Sequence, residues 1–246
     1  VPSQLSIHRA VAAWVSPDTY QKVLIIVSSS PSLATQDPNS LFNTAIAFEL
    51  AIGFGGLILG LLIGPESREM VPEWFDAQRI GEGLLWGTIA ALPLTLAVVA
   101  FSAIPLDSIR KLNRLAEQQL QPMFGKFTWA QLIVLAIAAG ICEELFFRGW
   151  LQCFLSGPLP PNSPWEEPKV LLGVILASIA FGMCHAVTRM YFVLATLAGV
   201  FFGVLLVETS NLLIPITAHA VYDILMLTRL RRSKPALSDS DARSSN

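Results

Sequence analysis

WAQLIVLAIAAGICEELFFRGWLQCFL (Trp129–Leu155) is apolar for its first half and then carries Glu143, Glu144 and Arg148. A run of about 20 mostly apolar residues is long enough to cross roughly 30 Å of hydrocarbon as a helix. Charged groups at membrane depth are costly, so they turn toward the protein interior or a wet cavity. The stretch therefore reads as a transmembrane helix with its ionisable face turned inward. The same composition recurs at Leu41–Gly64, Gly83–Leu106, Val170–Val187, Met190–Val207 and Leu212–Leu230. Lipid cannot satisfy exposed backbone groups, so such spans are helical, and the strict alternation of an outer-membrane barrel strand is missing. The expected fold is all-α, a polytopic integral membrane bundle of about six transmembrane helices plus an N-terminal segment.

Composition points the same way. The 246 residues are 53% hydrophobic and 14% charged, with a mean hydropathy of +0.58, whereas soluble domains carry about 25% charged residues. A net charge of −2 argues against nucleic acid as a partner. Cys142, Cys153 and Cys184 lie in or beside apolar segments without CxxC spacing, so neither a disulfide framework nor a thiolate zinc site is expected. Three regions follow: residues 1–40 as an N-terminal segment, cytoplasmic or on the membrane surface; 41–230 as the transmembrane bundle, with its motifs in 131–230; and 231–246 as a disordered cytoplasmic tail. The proline-rich run Ser156–Pro168 reads as an outer loop. With six spans, twelve Lys and Arg residues fall on the side of the termini and three on the other, which places both termini in the cytoplasm. Gly53, Gly56 and Gly60 have the spacing of close helix packing.

The ionisable groups within the spans are Glu49, Glu143, Glu144, Arg148, His185, His219 and Asp223. Glu144 and Arg148 are four apart on one face and can pair. Glu143, turned about 100° away, stays free for chemistry. FGMCH places Phe181 one turn before His185, and HAVYD places His219 one turn before Asp223, a spacing that lets a carboxyl group orient an imidazole. With Leu132, Arg189 and Arg229 taken as cytoplasmic helix ends, Glu143, His185, His219 and Asp223 fall about 16, 6, 15 and 9 Å deep. His185 is the outlier.

EELFFR (Glu143–Arg148), FGMCH (Phe181–His185) and HAVYD (His219–Asp223) together match the pattern EExxxR, FxxxH, HxxxN/D. Over roughly Gln131–Leu230 the chain thereby resembles the CPBP family of intramembrane glutamic endopeptidases, which includes the type II CAAX prenyl proteases and the Abi proteins. The resemblance implies catalytic roles for Glu143, His185, His219 and Asp223. Glu143 would be the general base, assisted by His185 in activating water, and His219 with Asp223 would stabilise the oxyanion. It implies supporting roles for Glu144, Arg148 and Phe181. Eukaryotic CAAX relatives carry Asn where this chain has Asp223. An ionised Asp223 cannot donate to an oxyanion, so it is either protonated or orients His219.

The expected function is hydrolysis of a peptide bond in a membrane-associated protein or peptide, by glutamate-activated water with histidine assistance and no metal cofactor. A zinc-dependent version is the alternative chemistry, because two histidines and a carboxylate can hold zinc with an open position. A non-catalytic membrane scaffold on the same fold and a proton-coupled transporter are the alternatives from other classes. The expected partners are the substrate and the lipid bilayer, in a bacterial cell membrane or a thylakoid-type membrane.

Overall fold

The computed structural model describes residues 37–157, 159 and 164–232. Most of the predicted N-terminal segment, the middle of the proline-rich loop and the tail beyond Arg232 lie outside the described residues. Among those described there are seven principal helices and no strand, an all-α polytopic membrane bundle. They are α1 (Pro38–Ile63), α2 (Ala77–Ser102), α3 (Asp107–Leu115), α4 (Trp129–Ser156), α5 (Pro168–Cys184), α6 (Arg189–Thr209) and α7 (Leu213–Arg232). Five of them, α1, α2, α4, α6 and α7, are long and apolar enough to cross a membrane.

Their ends follow from local chemistry. Gly64, at φ +59, adopts the left-handed conformation that glycine tolerates best and closes α1, its N–H bonded to the carbonyl of Gly60. Asp76 caps α2, its Oδ1 accepting from the Arg79 N–H at 3.0 Å. A reciprocal capping box opens α4: the Thr128 hydroxyl accepts from the Gln131 N–H, and the Gln131 side chain accepts from the Thr128 N–H. Thr128 stands immediately before the apolar run, so the polar box marks where the buried helix begins.

The fourth predicted span is corrected. The sequence stays apolar to Val187, but α5 stops at Cys184 after 17 residues, about 25 Å. In a regular helix the His185 N–H would bond the Phe181 carbonyl. Here His185 Nδ1 takes that carbonyl at 2.8 Å, and the backbone N–H tightens onto Gly182. The imidazole thus terminates the helix that carries it. After a short turn, Thr188 caps α6 by accepting from the Tyr191 N–H at 3.0 Å. His185 Nε2 thereby stands 3.9 Å from Glu143 Oε2, so the depth mismatch of about 10 Å that the helical rise suggested for His185 is absent from the structure.

The central helix is α4. Half of its spanning window is buried, against 11% of that of α2. It packs against α1, α5 and α7, and α2 lies on the outer side of α7. Small residues allow these approaches. A Cβ on Gly140 of α4 would stand 2.9 Å from the Ile216 carbonyl oxygen and the Ala220 Cβ of α7. On α1, a Cβ on Gly53 would meet Cys142 Sγ at 2.8 Å, and one on Gly56 would meet Phe146 Cα at 2.9 Å. The small-residue stripe of α1 is a packing face, and it sets that helix against the acidic half of α4. Apolar residues Leu41, Phe127, Leu132 and Leu135 close the end of this seam.

Candidate active site

The hydrogen bonding of α4 widens to the i→i+5 pattern over Leu145–Gln152, immediately after the two glutamates. Such widened turns are frequent at functional sites. The Cys153 thiol donates to the Arg148 carbonyl at 3.3 Å, satisfying a backbone group inside the widened stretch. The same stretch turns Arg148 and Gln152 toward α6. Arg148 Nη2 donates to the Gly199 carbonyl at 3.1 Å, and Gln152 Nε2 donates to the Gly203 carbonyl at 3.2 Å. Both acceptors sit in tight contact with their neighbours. A Cβ at Gly203 would be 2.7 Å from Gln152 Oε1, and one at Gly199 would press on Ser178 and Arg148.

Arg148 and Glu144 are both fully buried and pair at 2.9 Å. Three rings surround the guanidinium, with Cζ 4.4 Å from the Phe181 centroid, 5.4 Å from Phe202 and 5.8 Å from Phe147. A desolvated cation gains from aromatic faces at such distances. Glu144 Oε1 also accepts from His219 Nδ1 at 2.8 Å. One carboxylate oxygen on α4 therefore ties its own helix to α7.

The i,i+4 spacing of HAVYD suggests that Asp223 orients His219. The structure gives that contact to Glu144 instead. Asp223 Oδ2 lies beside the other ring nitrogen, Nε2, at 3.6 Å, too far for a hydrogen bond. Local spacing brings the acid to the ring, but the ring edge facing it is the one turned away from Glu144. Phe202 stacks on His219 at 4.9 Å with an interplanar angle of 12°.

Glu143 points between the two imidazoles. Its Oε2 is 3.9 Å from His185 Nε2 and 3.9 Å from His219 Nε2, and it has no hydrogen-bond partner among the described residues. His185 Nδ1 faces a carbonyl, which only accepts, so that nitrogen carries a proton. His219 Nδ1 donates to a carboxylate in the same way. Both histidines thus present Nε2 to the same glutamate. Phe181 lies between Arg148 and His185, its ring centroid 4.5 Å from the imidazole.

All seven residues singled out by the motifs, Glu143, Glu144, Arg148, Phe181, His185, His219 and Asp223, fall in this one constellation. Sequence reasoning missed Phe202, Gln152, Gly199 and Gly203. For Gln152, Gly199 and Gly203 the signal is a paired spacing, 148/152 on one helix and 199/203 on another, which becomes visible once the two helices are known to touch. A cavity of about 210 Å³ opens beside the constellation. It is lined by Phe48 and Ile52 of α1, Glu143 and Phe147 of α4, and Cys184 and His185 at the end of α5. Among the described residues no group of three His, Cys, Asp or Glu side chains is arranged to hold a metal ion.

No curated protein and no solved structure matches the chain. Residues 125–225 match the family model of the type II CAAX prenyl endopeptidase Rce1-like proteins. That segment runs from just before α4 to just past Asp223, and so contains every motif residue of the constellation. Together, the five spanning helices and this match make the chain an integral membrane protein whose residues 125–225 are similar to the Rce1-like family of type II CAAX prenyl endopeptidases.

Proposed function

We propose that the protein is a glutamate-dependent endopeptidase that cleaves a membrane-associated protein or peptide. The observation that carries this reading is Glu143, a buried carboxylate with an unpartnered oxygen, held 3.9 Å from each of two imidazole nitrogens. Two groups each about 2.8 Å from one water, and 3.9 Å apart, subtend roughly a right angle at it. One water can therefore hydrogen-bond Glu143 and His185 together.

In the proposed reaction, water attacks the scissile carbonyl carbon and gives its proton to Glu143, with His185 Nε2 accepting from the second water hydrogen. The carbonyl oxygen becomes an oxyanion. In its doubly protonated form His219 keeps Nδ1–H on Glu144 and directs Nε2–H at that oxyanion. Collapse breaks the C–N bond, and Glu143 returns its proton to the leaving amine. Arg148, Phe181 and Phe202 hold Glu144 and His219 in place. Asp223, beside His219 Nε2, supports the doubly protonated ring.

The cavity between α1 and the end of α5 is the proposed entry for the substrate. Its walls are apolar at Phe48, Ile52 and Phe147, which suits a chain arriving from the bilayer. Arg231 stacks over Trp129 at 4.4 Å, so the basic end of α7 lies beside the start of α4. That cluster supports a cytoplasmic position for this end of the bundle and for both termini.

The test is cleavage by purified protein in lipid nanodiscs. Glu143→Gln removes the base and nearly preserves shape, so turnover is expected to fall by at least about 100-fold while folding is retained. Wild-type turnover in Glu143→Gln would refute the reading. Chelator treatment of the same sample separates the zinc version. Activity is expected to survive, and loss restored by added zinc would replace this mechanism with a metal-assisted one.

A further inference from the structure

Four carboxyl groups gather at the site, and three are accounted for. Glu144 binds Arg148 and His219, while Glu143 and Asp223 flank imidazole nitrogens. The fourth is Glu49 on α1, outside the family-matched segment. Its Oε2 is buried and has no hydrogen-bond partner, and no Lys, Arg or His reaches it at ion-pair distance among the described residues.

Its placement follows from its neighbours. Ala45 and Ile46, four and three residues earlier, pack against the cluster of Leu132 and Leu135, which Leu227 also joins. Gly53, four residues later, abuts Cys142. Glu49 lies between these two contacts, on the stripe of α1 that faces α4. On α7, Asp223 lies between Leu227 and Ala220, and Ala220 touches Gly140. Glu143, His219 and Asp223 are the charged groups within electrostatic reach of Glu49. Phe48, its neighbour in sequence, and Ile52, three residues on, line the cavity that leads to Glu143. A carboxylate with an unsatisfied oxygen inside a membrane protein is costly unless a partner arrives.

Resting on the endopeptidase reading, we propose that Glu49 is a specificity-determining residue that receives a cationic side chain of the substrate, a lysine ammonium or an arginine guanidinium, near the scissile bond. Among the described residues, acidic groups at the site outnumber its one permanent cation, Arg148, and Arg148 is committed to Glu144. A cation brought by the substrate complements the surplus and gives Glu49 the partner it lacks.

The experiment uses the full chain in nanodiscs and lipid-anchored peptides in which one lysine is walked through successive positions, each compared with norleucine. Affinity is read by fluorescence anisotropy in a Glu143→Gln background, and KM and kcat are read with Glu143 intact. Lysine is expected to tighten binding about tenfold at one or two positions, as a charge-assisted hydrogen bond does. The advantage should appear in KM, disappear in Glu49→Gln and return in Glu49→Asp. A lysine-to-norleucine ratio unchanged by Glu49→Gln, no preference for lysine at any position, or an equal loss of affinity for both peptides would overturn the proposal. Binding reads out even where no peptide is cut, so failure of the protease reading, seen as cleavage indifferent to Glu143, is registered separately.

Discussion

Replacing Arg148 by methionine isolates the pair that holds the site together. Both partners are fully buried, and the guanidinium also donates to the Gly199 carbonyl. Removing one member of a buried ion pair leaves an uncompensated charge and costs about 3–5 kcal/mol. Arg148→Met keeps most of the volume and the apolar contact with Phe181 and Phe202, so nearly all of the loss comes from the stranded Glu144. The double variant Glu144→Gln with Arg148→Met removes both charges, and the amide oxygen introduced at position 144 can still accept from His219 Nδ1. The double variant is therefore expected to recover at least half of the loss. The molecule supplies its own reporter: Cys184 is exposed, whereas Cys142 and Cys153 are buried. A thiol-reactive dye should label Cys184 at once and the other two only on unfolding, during a denaturant titration in mixed micelles. An unfolding midpoint for Arg148→Met equal to wild type, or a double variant less stable than the single one, would show that the pair is not the buried, mutually dependent contact described here.

Three further outcomes follow from the packing. Phe202→Leu removes the ring stacked on His219 and facing Arg148. Such contacts are worth about 0.5–1.5 kcal/mol, so kcat should fall roughly two- to tenfold with expression unchanged. Gly140→Val forces α4 away from α7, where a Cβ would already stand 2.9 Å from the Ile216 oxygen. Overpacking of this kind costs about 1–3 kcal/mol, and the unfolding midpoint should drop. Gly81→Ala, where a Cβ meets nothing within 4 Å, should be neutral or mildly stabilising in the same titration.

The sequence by itself determined the class of the fold and the identity of the motif residues, because both are written in local patterns. Hydropathy over about 20 residues marks a span. Spacing of four puts Glu144 with Arg148 and sets Glu143 apart on another face. Only the tertiary structure decided which partner each group takes across helices. His219 is oriented by Glu144, 75 residues away, rather than by Asp223 four residues on. Arg148 and Gln152 find carbonyls at Gly199 and Gly203 because α4 and α6 meet there. The end of α5 was also hidden. Apart from Ser178 and His185 the stretch to Val187 is apolar, and it is the ring of His185, bonded to the Phe181 carbonyl, that ends the helix level with Glu143. The physical reason is common to all three. Helical periodicity dictates which side chains share a face, but the depth and rotation at which helices meet depend on small residues and polar partners distributed along the whole chain, and in a bilayer no apolar driving force between helices chooses for them.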